Sequence, residues 1–245
     1  MQKELCDLTK AEILNLNPED FSEREILDDV IIAWAKTLGC YWKFKGTKEN
    51  PDVHAILKSK AHSDVFFNIR EMMEYEVVRK IFAYQLSAFI EHSKNVFIAG
   101  IPTGATKLAK DIAEITGFGI IKMEKDEEGK IQLTSCLPFG SMIIFIEDVS
   151  TQRTAIREAY QKIYNIFDVE IAPYILTVID RADSDENNFF VKNGELVNKS
   201  MTIKSLVKIT PKEWDVENFE FCPLCGMGSI PMSPKNPAEN WNNFQ

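Results

Sequence analysis

Ile143-Ile144-Phe145-Ile146-Glu147-Asp148-Val149-Ser150-Thr151-Gln152-Arg153-Thr154-Ala155 is the stretch that decides how this chain is read. Four apolar residues run into two adjacent carboxylates. A Ser/Thr-rich turn follows, then an amphipathic segment from Ile156 to Phe167. An unbroken apolar run bounded by a polar turn reads as a strand buried on both faces. In an open parallel sheet, ligands bind beyond the carboxyl ends of the strands, and Glu147 and Asp148 fall at that end. The turn after them offers hydroxyls, backbone N–H groups and a helix N-terminus, which suit a phosphate. Carboxylates for hydroxyls and amides for a phosphate together suit a sugar phosphate.

Outward from this stretch, strands and helices alternate. Val96-Phe97-Ile98-Ala99 reads as a short buried strand, Gly100-Ile101-Pro102-Thr103-Gly104 as a tight loop, and Thr106 to Ile115 as a helix stopped by Gly117. Ile120-Ile121 and Tyr174 to Asp180 are further strands, separated by a charged loop from Lys122 to Lys130 and by the central stretch. Such alternation predicts an α/β fold, a doubly wound parallel sheet with right-handed crossovers, over residues 95–210. Residues 1–94 are expected to hold N-terminal helices and a small hood subdomain built from residues 40–70. Ser22-Glu23-Arg24-Glu25 has the form of a capping box, and the apolar spacing from Ile26 to Leu38 predicts a helix over 22–38 with Gly39 as its C-cap. A strand at Tyr41–Phe44, a hairpin within Val53–Ile69 and one long helix from Glu71 to His92 complete that part. Residues 211–245 form a Pro- and Asn-rich tail, a further candidate piece of the hood.

Composition narrows the function classes. The 245 residues are 45% hydrophobic and 27% charged, the balance of a globular enzyme, and the net charge of −9 opposes broad capture of nucleic acid or an anionic membrane surface. The N-terminus has no signal-peptide core, and no apolar run approaches the roughly 18 residues of a membrane span. The five cysteines make no dense framework, so the expectation is a cytoplasmic protein with reduced thiols. Cys222-Pro223-Leu224-Cys225 is half of a zinc knuckle. A structural zinc takes four ligands, and Cys6, Cys40, Cys136, His54, His62 and His92 show no second pair with ligand spacing. Half a zinc site and a turn with two free thiols both remain open. No metal ligand is assigned, and His62 is read as a local hydrogen-bonding group.

Several of these pieces resemble the type I phosphoribosyltransferases. Ile146-Glu147-Asp148-Val149 with Thr151 and Thr154-Ala155 is similar to that family's ribose-phosphate signature. Ile56-Leu57-Lys58-Ser59, Ser63 and Phe66-Phe67-Asn68 resemble the N-terminal substrate segment of its orotate phosphoribosyltransferase branch. Gly100 to Ala105 is similar to its pyrophosphate loop, and Val178-Ile179-Asp180-Arg181 to its late strand. These segments occur in the family's order from about residue 53 to 185.

The resemblance implies roles. Glu147 and Asp148 would hold the ribose hydroxyls of phosphoribosyl pyrophosphate (PRPP), and as carboxylates would favour positive charge at the anomeric carbon. Ser150, Thr151, Gln152, Arg153, Thr154 and Ala155 would cradle the 5′-phosphate, with Thr103 and Gly104 at the pyrophosphate. Lys58, Phe66, Phe67 and Arg181 would hold the base; if Phe66 and Phe67 lie on a strand they point to opposite faces, so only one sits fully in the site. Lys125 or, next, Lys122 would serve catalysis beside Asp148, supplied across a homodimer. Mg²⁺ would be carried mainly by PRPP. The sequence departs from the family at Gln152 and Arg153, which replace a small residue and a glycine, at Lys60, where glycine is frequent, and in the acidic, histidine-free 122–130 loop. Two classes follow: a transferase joining PRPP to a base, orotate first, and a PRPP- or nucleotide-binding regulator without catalysis.

Overall fold

The computed structural model describes residues 2–244 apart from 92, 152, 165, 167, 182–187, 193–194, 219–220 and 236–237. Up to residue 87 the chain forms α1 (Gln2–Cys6), α2 (Lys10–Leu14), α3 (Asp28–Thr37), β1 (Tyr41–Lys43), β2 (Val53–Ile56), β3 (His62–Ser63), β4 (Val65–Phe67), α4 (Ile69–Glu74) and α5 (Glu76–Ser87). The alternating part follows: β5 (Val96–Gly100), α6 (Thr106–Thr116), β6 (Gly119–Ile121), β7 (Met123–Lys125), β8 (Ile131–Leu133), β9 (Ser141–Ser150), α7 (Thr154–Ile163) and β10 (Val169–Asp180). Then come β11 (Asn188–Lys192), β12 (Glu195–Ser200), β13 (Thr202–Lys208), β14 (Glu213–Trp214), α8 (Pro223–Gly226) and β15 (Ile230–Met232).

The central sheet has five strands in the order β13-β10-β9-β5-β6, and every neighbouring pair is parallel. Successive side chains of a strand point to opposite faces, and β9 obeys this with apolar residues on both. Ile144 and Ile146 join a core with Trp34, Phe82, Leu86, Leu108 and Ile112 of α3, α5 and α6. Ile143 and Phe145 join a second core with Ile156, Ala159 and Ile163 of α7 and with Met123 and Ile131 of the β7–β8 hairpin. This is the doubly wound parallel sheet that the alternation predicts. Among the described residues no helix is long and apolar enough to cross a membrane.

Two N-terminal expectations change. Residues 22–27 are not helical, and α3 begins at Asp28 with Leu27 at its N-cap. The cause is the buried amide of Gln85. It donates to the carbonyls of Phe21 and Arg24 and accepts from the N–H of Ile26, each at 2.8 Å. Those three groups therefore bond outside any helix. A capping box forms instead at Thr9 and Glu12, ahead of α2. The single helix over 71–92 is two, parted at Tyr75 (φ −74°, ψ 102°). Arg79 donates to the carbonyl of Met73 at 2.9 Å and pairs with Asp111 of α6 at 2.6 Å, so side-chain bonding takes over at the break. His92 lies outside the described residues.

The hood is two small sheets. β1 pairs antiparallel with β4, and a four-stranded sheet runs β14-β3-β2-β15. The C-terminal tail supplies both edges of that second sheet, and its Trp241 and Phe244 pack with Trp42 and Ala55. Trp42 and Phe244 meet edge to face at 4.9 Å, and Trp241 stacks on Phe244 at 5.8 Å. β14, β15, Trp241 and Phe244 of the tail are thus structural members of the hood.

Replacing Gln85 by Ala strands one buried donor and two acceptors. Chemical denaturation should show a loss of about 2–4 kcal/mol; a loss under about 0.5 kcal/mol, the surface-substitution range, would remove this account of the 22–27 segment.

Candidate active site

β9 stays in register with β10 to its end, pairing Glu147 with Thr177 and Ser150 with Asp180. The acid pair therefore belongs to the strand. Being consecutive, Glu147 and Asp148 point to opposite faces. Glu147 lines a cleft of about 520 Å³ together with Thr151, Arg153, Thr154, Ala155, Lys58, Phe66, Arg181 and Glu213. Asp148 lies instead against the loop after β5. A Cβ on Gly104 would meet the Asp148 carboxylate at 2.1 Å, so any larger residue there would force that carboxylate to move. That loop holds a cis peptide between Pro102 and Thr103.

Both acids are pushed above the usual carboxylate range. For Glu147 the causes are burial first, then the neighbouring Asp148, with the Arg153 guanidinium pulling the other way. For Asp148 burial again leads, opposed by the Val149 N–H and by Arg70 and Lys235. Glu147 Oε2 is buried with no hydrogen-bond partner among the described residues. Buried polar oxygens are rarely left so, and a ligand hydroxyl in the cleft would satisfy it.

Arg153 occupies the N-cap of α7 in the left-handed conformation, φ 60° and ψ 18°. Glycine tolerates this region; other residues adopt it at a cost of about 1–2 kcal/mol. The backbone thus keeps the shape a glycine would take, and adds a buried guanidinium (6% exposed) to the cleft wall. Thr154 and Ala155 open α7, which sets the helix's unpaired N–H groups beside the cleft. Lys60 repeats the pattern, with φ 71° in the turn joining β2 to β3. Ser150 is fully buried behind the acids, its carbonyl accepting from the Arg181 N–H at 2.9 Å. Gln152 lies outside the described residues.

The base-binding candidates divide. Phe66 lines the cleft, whereas Phe67 is buried against Tyr41 in the main core, the alternation of β4 sending them apart. Phe67 is thus corrected from a ligand contact to a core residue. Lys58 lines the rim. Arg181 gives Nη2 to Glu213 at 2.6 Å, while its buried Nε has no partner among the described residues. A negatively charged base would therefore meet a cation already paired with Glu213. Thr103 does not line the cleft, nor do Lys122 and Lys125. Those lysines sit on the β7–β8 hairpin, which is docked on α7 through Ile131 N–H to Glu158 at 2.6 Å.

Sequence reasoning overlooked residues that come from far along the chain. Lys235 lies 5.5 Å over the ring of Phe66, and Trp241 packs on the same ring at 5.5 Å. Arg70, just inside α4, acts electrostatically on Asp148 together with Lys235. No local pattern marks any of them. Cys222 and Cys225, for which the sequence offers no second ligand pair, stand beside His54 and His62.

No model of a known family matches the chain. It is 23% identical over 180 residues to an orotate phosphoribosyltransferase of Caldanaerobacter subterraneus subsp. tengcongensis, spanning 73% of this chain and 86% of that protein. It is 24% identical over 181 residues to an orotate phosphoribosyltransferase of Thermoanaerobacter sp. (strain X514), with the same coverage of 73% and 86%. Among solved structures, the orotate phosphoribosyltransferase of Aeropyrum pernix superposes with a TM-score of 0.51 at 16% identity, covering 64% of this chain and 86% of that one. The UMP synthase of Leishmania donovani gives 0.51 at 21% identity, covering 71% of this chain and 35% of that one. The chain therefore has the type I phosphoribosyltransferase fold, and the curated proteins it resembles in sequence are orotate phosphoribosyltransferases.

Proposed function

We propose that this protein is a Mg²⁺-dependent phosphoribosyltransferase acting in pyrimidine nucleotide synthesis. It transfers the 5-phosphoribosyl group of PRPP to a nitrogenous base, orotate foremost, and releases pyrophosphate. The observation that carries this reading is the single cleft in which Glu147, Thr151, Arg153, Thr154 and Ala155 meet Lys58, Phe66 and Arg181. One group suits a ribose phosphate; the other suits a flat anion.

In this reading the base nitrogen bonds to the anomeric carbon, the bond from that carbon to pyrophosphate breaks, and the nitrogen's proton leaves with pyrophosphate or to solvent. Glu147 holds the ribose hydroxyls from the cleft, and Asp148, on the opposite face of β9 beside the Gly104 loop, adds to the negative field that favours the positive charge developing on the sugar. The turn at Thr151–Ala155 and the Arg153 guanidinium hold the 5′-phosphate. Phe66 stacks on the base and Arg181 orients its charge. Carboxylate oxygens are the hard donors Mg²⁺ prefers, so Asp148 and Glu147 fit an ion carried mainly by PRPP. When bound, it would neutralise charge on the departing pyrophosphate. A loop lysine, Lys125 or Lys122, would be supplied across a homodimer interface, in a cytoplasmic enzyme. The positions of those lysines outside the cleft favour one alternative, a PRPP- or nucleotide-binding regulator without catalysis.

Orotate absorbance should fall in the presence of PRPP and Mg²⁺, and the double substitution Glu147→Ala, Asp148→Ala should lower kcat/KM by about 10²–10⁴-fold. PRPP binding by calorimetry with no turnover of any of several bases would instead establish the regulator. Arg153→Gly should weaken PRPP by roughly 10–150-fold, the equivalent of about 1.5–3 kcal/mol for a charged hydrogen bond; tighter binding would mean that Arg153 obstructs the turn. Glu147→Gln should raise the thermal midpoint at neutral pH. A carboxyl whose folded pKa is raised binds more protons folded than unfolded, so stability falls as pH climbs from the unfolded pKa to the folded one. Gln removes that loss, and the two proteins should converge below about pH 4, where both states of the glutamate are protonated.

A further inference from the structure

We propose that His54, His62, Cys222 and Cys225 bind one zinc ion in a closed, four-ligand structural site that fastens the C-terminal segment to the hood. One ligand atom from each residue lies within 4.8 Å of all the others. His54 Nε2 is 2.9 Å from His62 Nδ1; Cys225 Sγ is 3.5 Å from His54 Nε2 and 3.3 Å from His62 Nδ1; Cys222 Sγ is 3.7 Å from His54 Nε2. A zinc tetrahedron with Zn–N of about 2.0–2.1 Å and Zn–S of about 2.3 Å has ligand-to-ligand edges of roughly 3.3–3.8 Å. The four side chains therefore stand near the corners: the imidazoles would part by a few tenths of an ångström, and the longest separation, up to 4.8 Å, would close by about 1 Å.

The surroundings of His54 support this. Its Nδ1 is 2.8 Å from Ser229 Oγ, and that hydroxyl donates its own proton to the carbonyl of Asp52. Ser229 can then only accept, so Nδ1 carries the hydrogen and Nε2 presents its lone pair to the cluster. A hydrogen bond from the far nitrogen is how metal-bound histidines are oriented. His54, His62 and Cys222 are buried, and Cys225 is exposed, which gives an ion a way in. Two thiolates with two imidazoles select a soft, tetrahedral ion such as zinc over magnesium or calcium. Four protein ligands leave no open position, so the site is structural.

The ligands come from separate parts of the chain. His54 and His62 sit on β2 and β3, and the cysteines lie at the two ends of the single turn of α8. β15 leaves that turn and pairs with β2, Pro231 opposite His54. Beyond it lie Lys235 and Trp241, which close over Phe66. The ion would thus hold the tail where it packs on Phe66, a residue of the cleft wall.

The test uses the full chain purified without a metal-affinity column. Elemental analysis should find about one zinc per chain, and Co²⁺ exchange should give the visible spectrum of a tetrahedral thiolate site. Cys222→Ser with Cys225→Ser should carry less than about a tenth of that zinc, and Cys136→Ser, which alters an exposed cysteine elsewhere, should keep it all. Should the double variant fail to fold, the wild type decides: a strong chelator should lower its thermal midpoint, and added zinc should restore it. A wild-type chain that takes up neither zinc nor cobalt from the reduced state, and whose midpoint a chelator leaves unmoved, would overturn the proposal. So would a double variant that retains the zinc.

Discussion

The structure depends on burying β9 on both faces while its last residues carry charge. Ile143 to Ile146 are fully enclosed between two cores. That enclosure holds the following residues in register with β10, so Glu147 cannot retreat to bulk solvent. Desolvation of a carboxylate is costly, and the neighbouring Asp148 adds to it. The molecule tolerates this tension with few compensating groups: the Arg153 guanidinium, the Val149 N–H, and the more distant Arg70 and Lys235. Sites that bind polar ligands commonly hold such perturbed groups. Here the perturbation has a defined origin, the apolar strand that delivers the acids.

The phosphate turn shows how a sequence can depart from a pattern while the backbone keeps it. Arg153 and Lys60 stand where the family resemblance leads one to expect glycine, and both take φ near +60 to +70°. Each accepts modest local strain and places a long cationic side chain where glycine has none. At Arg153 that side chain is buried in the cleft wall beside Glu147. Compensation of this kind is electrostatic: the cation offsets part of the charge that burial leaves on the acid.

The hood is assembled from distant pieces. β14 and β15 flank a hairpin from far earlier in the chain, Glu213 pairing with Ser63 and Ile230 with Val53. Trp241 and Phe244 complete its small core, and four side chains with metal-ligand chemistry gather at its edge. A hood with so few buried residues has little apolar area to hold it, so cross-links between its pieces matter more than they would in the main domain.

The sequence by itself determined the elements whose signal is local. The apolar run of β9, the alternation of strands and helices, the Gly117 C-cap and the ordered family-like segments were all legible, because period, turn chemistry and short motifs lie within one window of the chain. So was the gathering of Glu147, Thr151, Arg153, Thr154 and Ala155 at a strand end. Only the tertiary structure decided the rest. Which of Phe66 and Phe67 faces the cleft depends on what β4 pairs with. The non-helical 22–27 segment depends on one amide 59 residues away. The partners of Cys222 and Cys225 depend on a hairpin at residues 53–63, and the seating of Lys235 and Trp241 on Phe66 depends on where β15 docks. In each case the deciding contact joins residues far apart in the chain, and no local pattern encodes its partner.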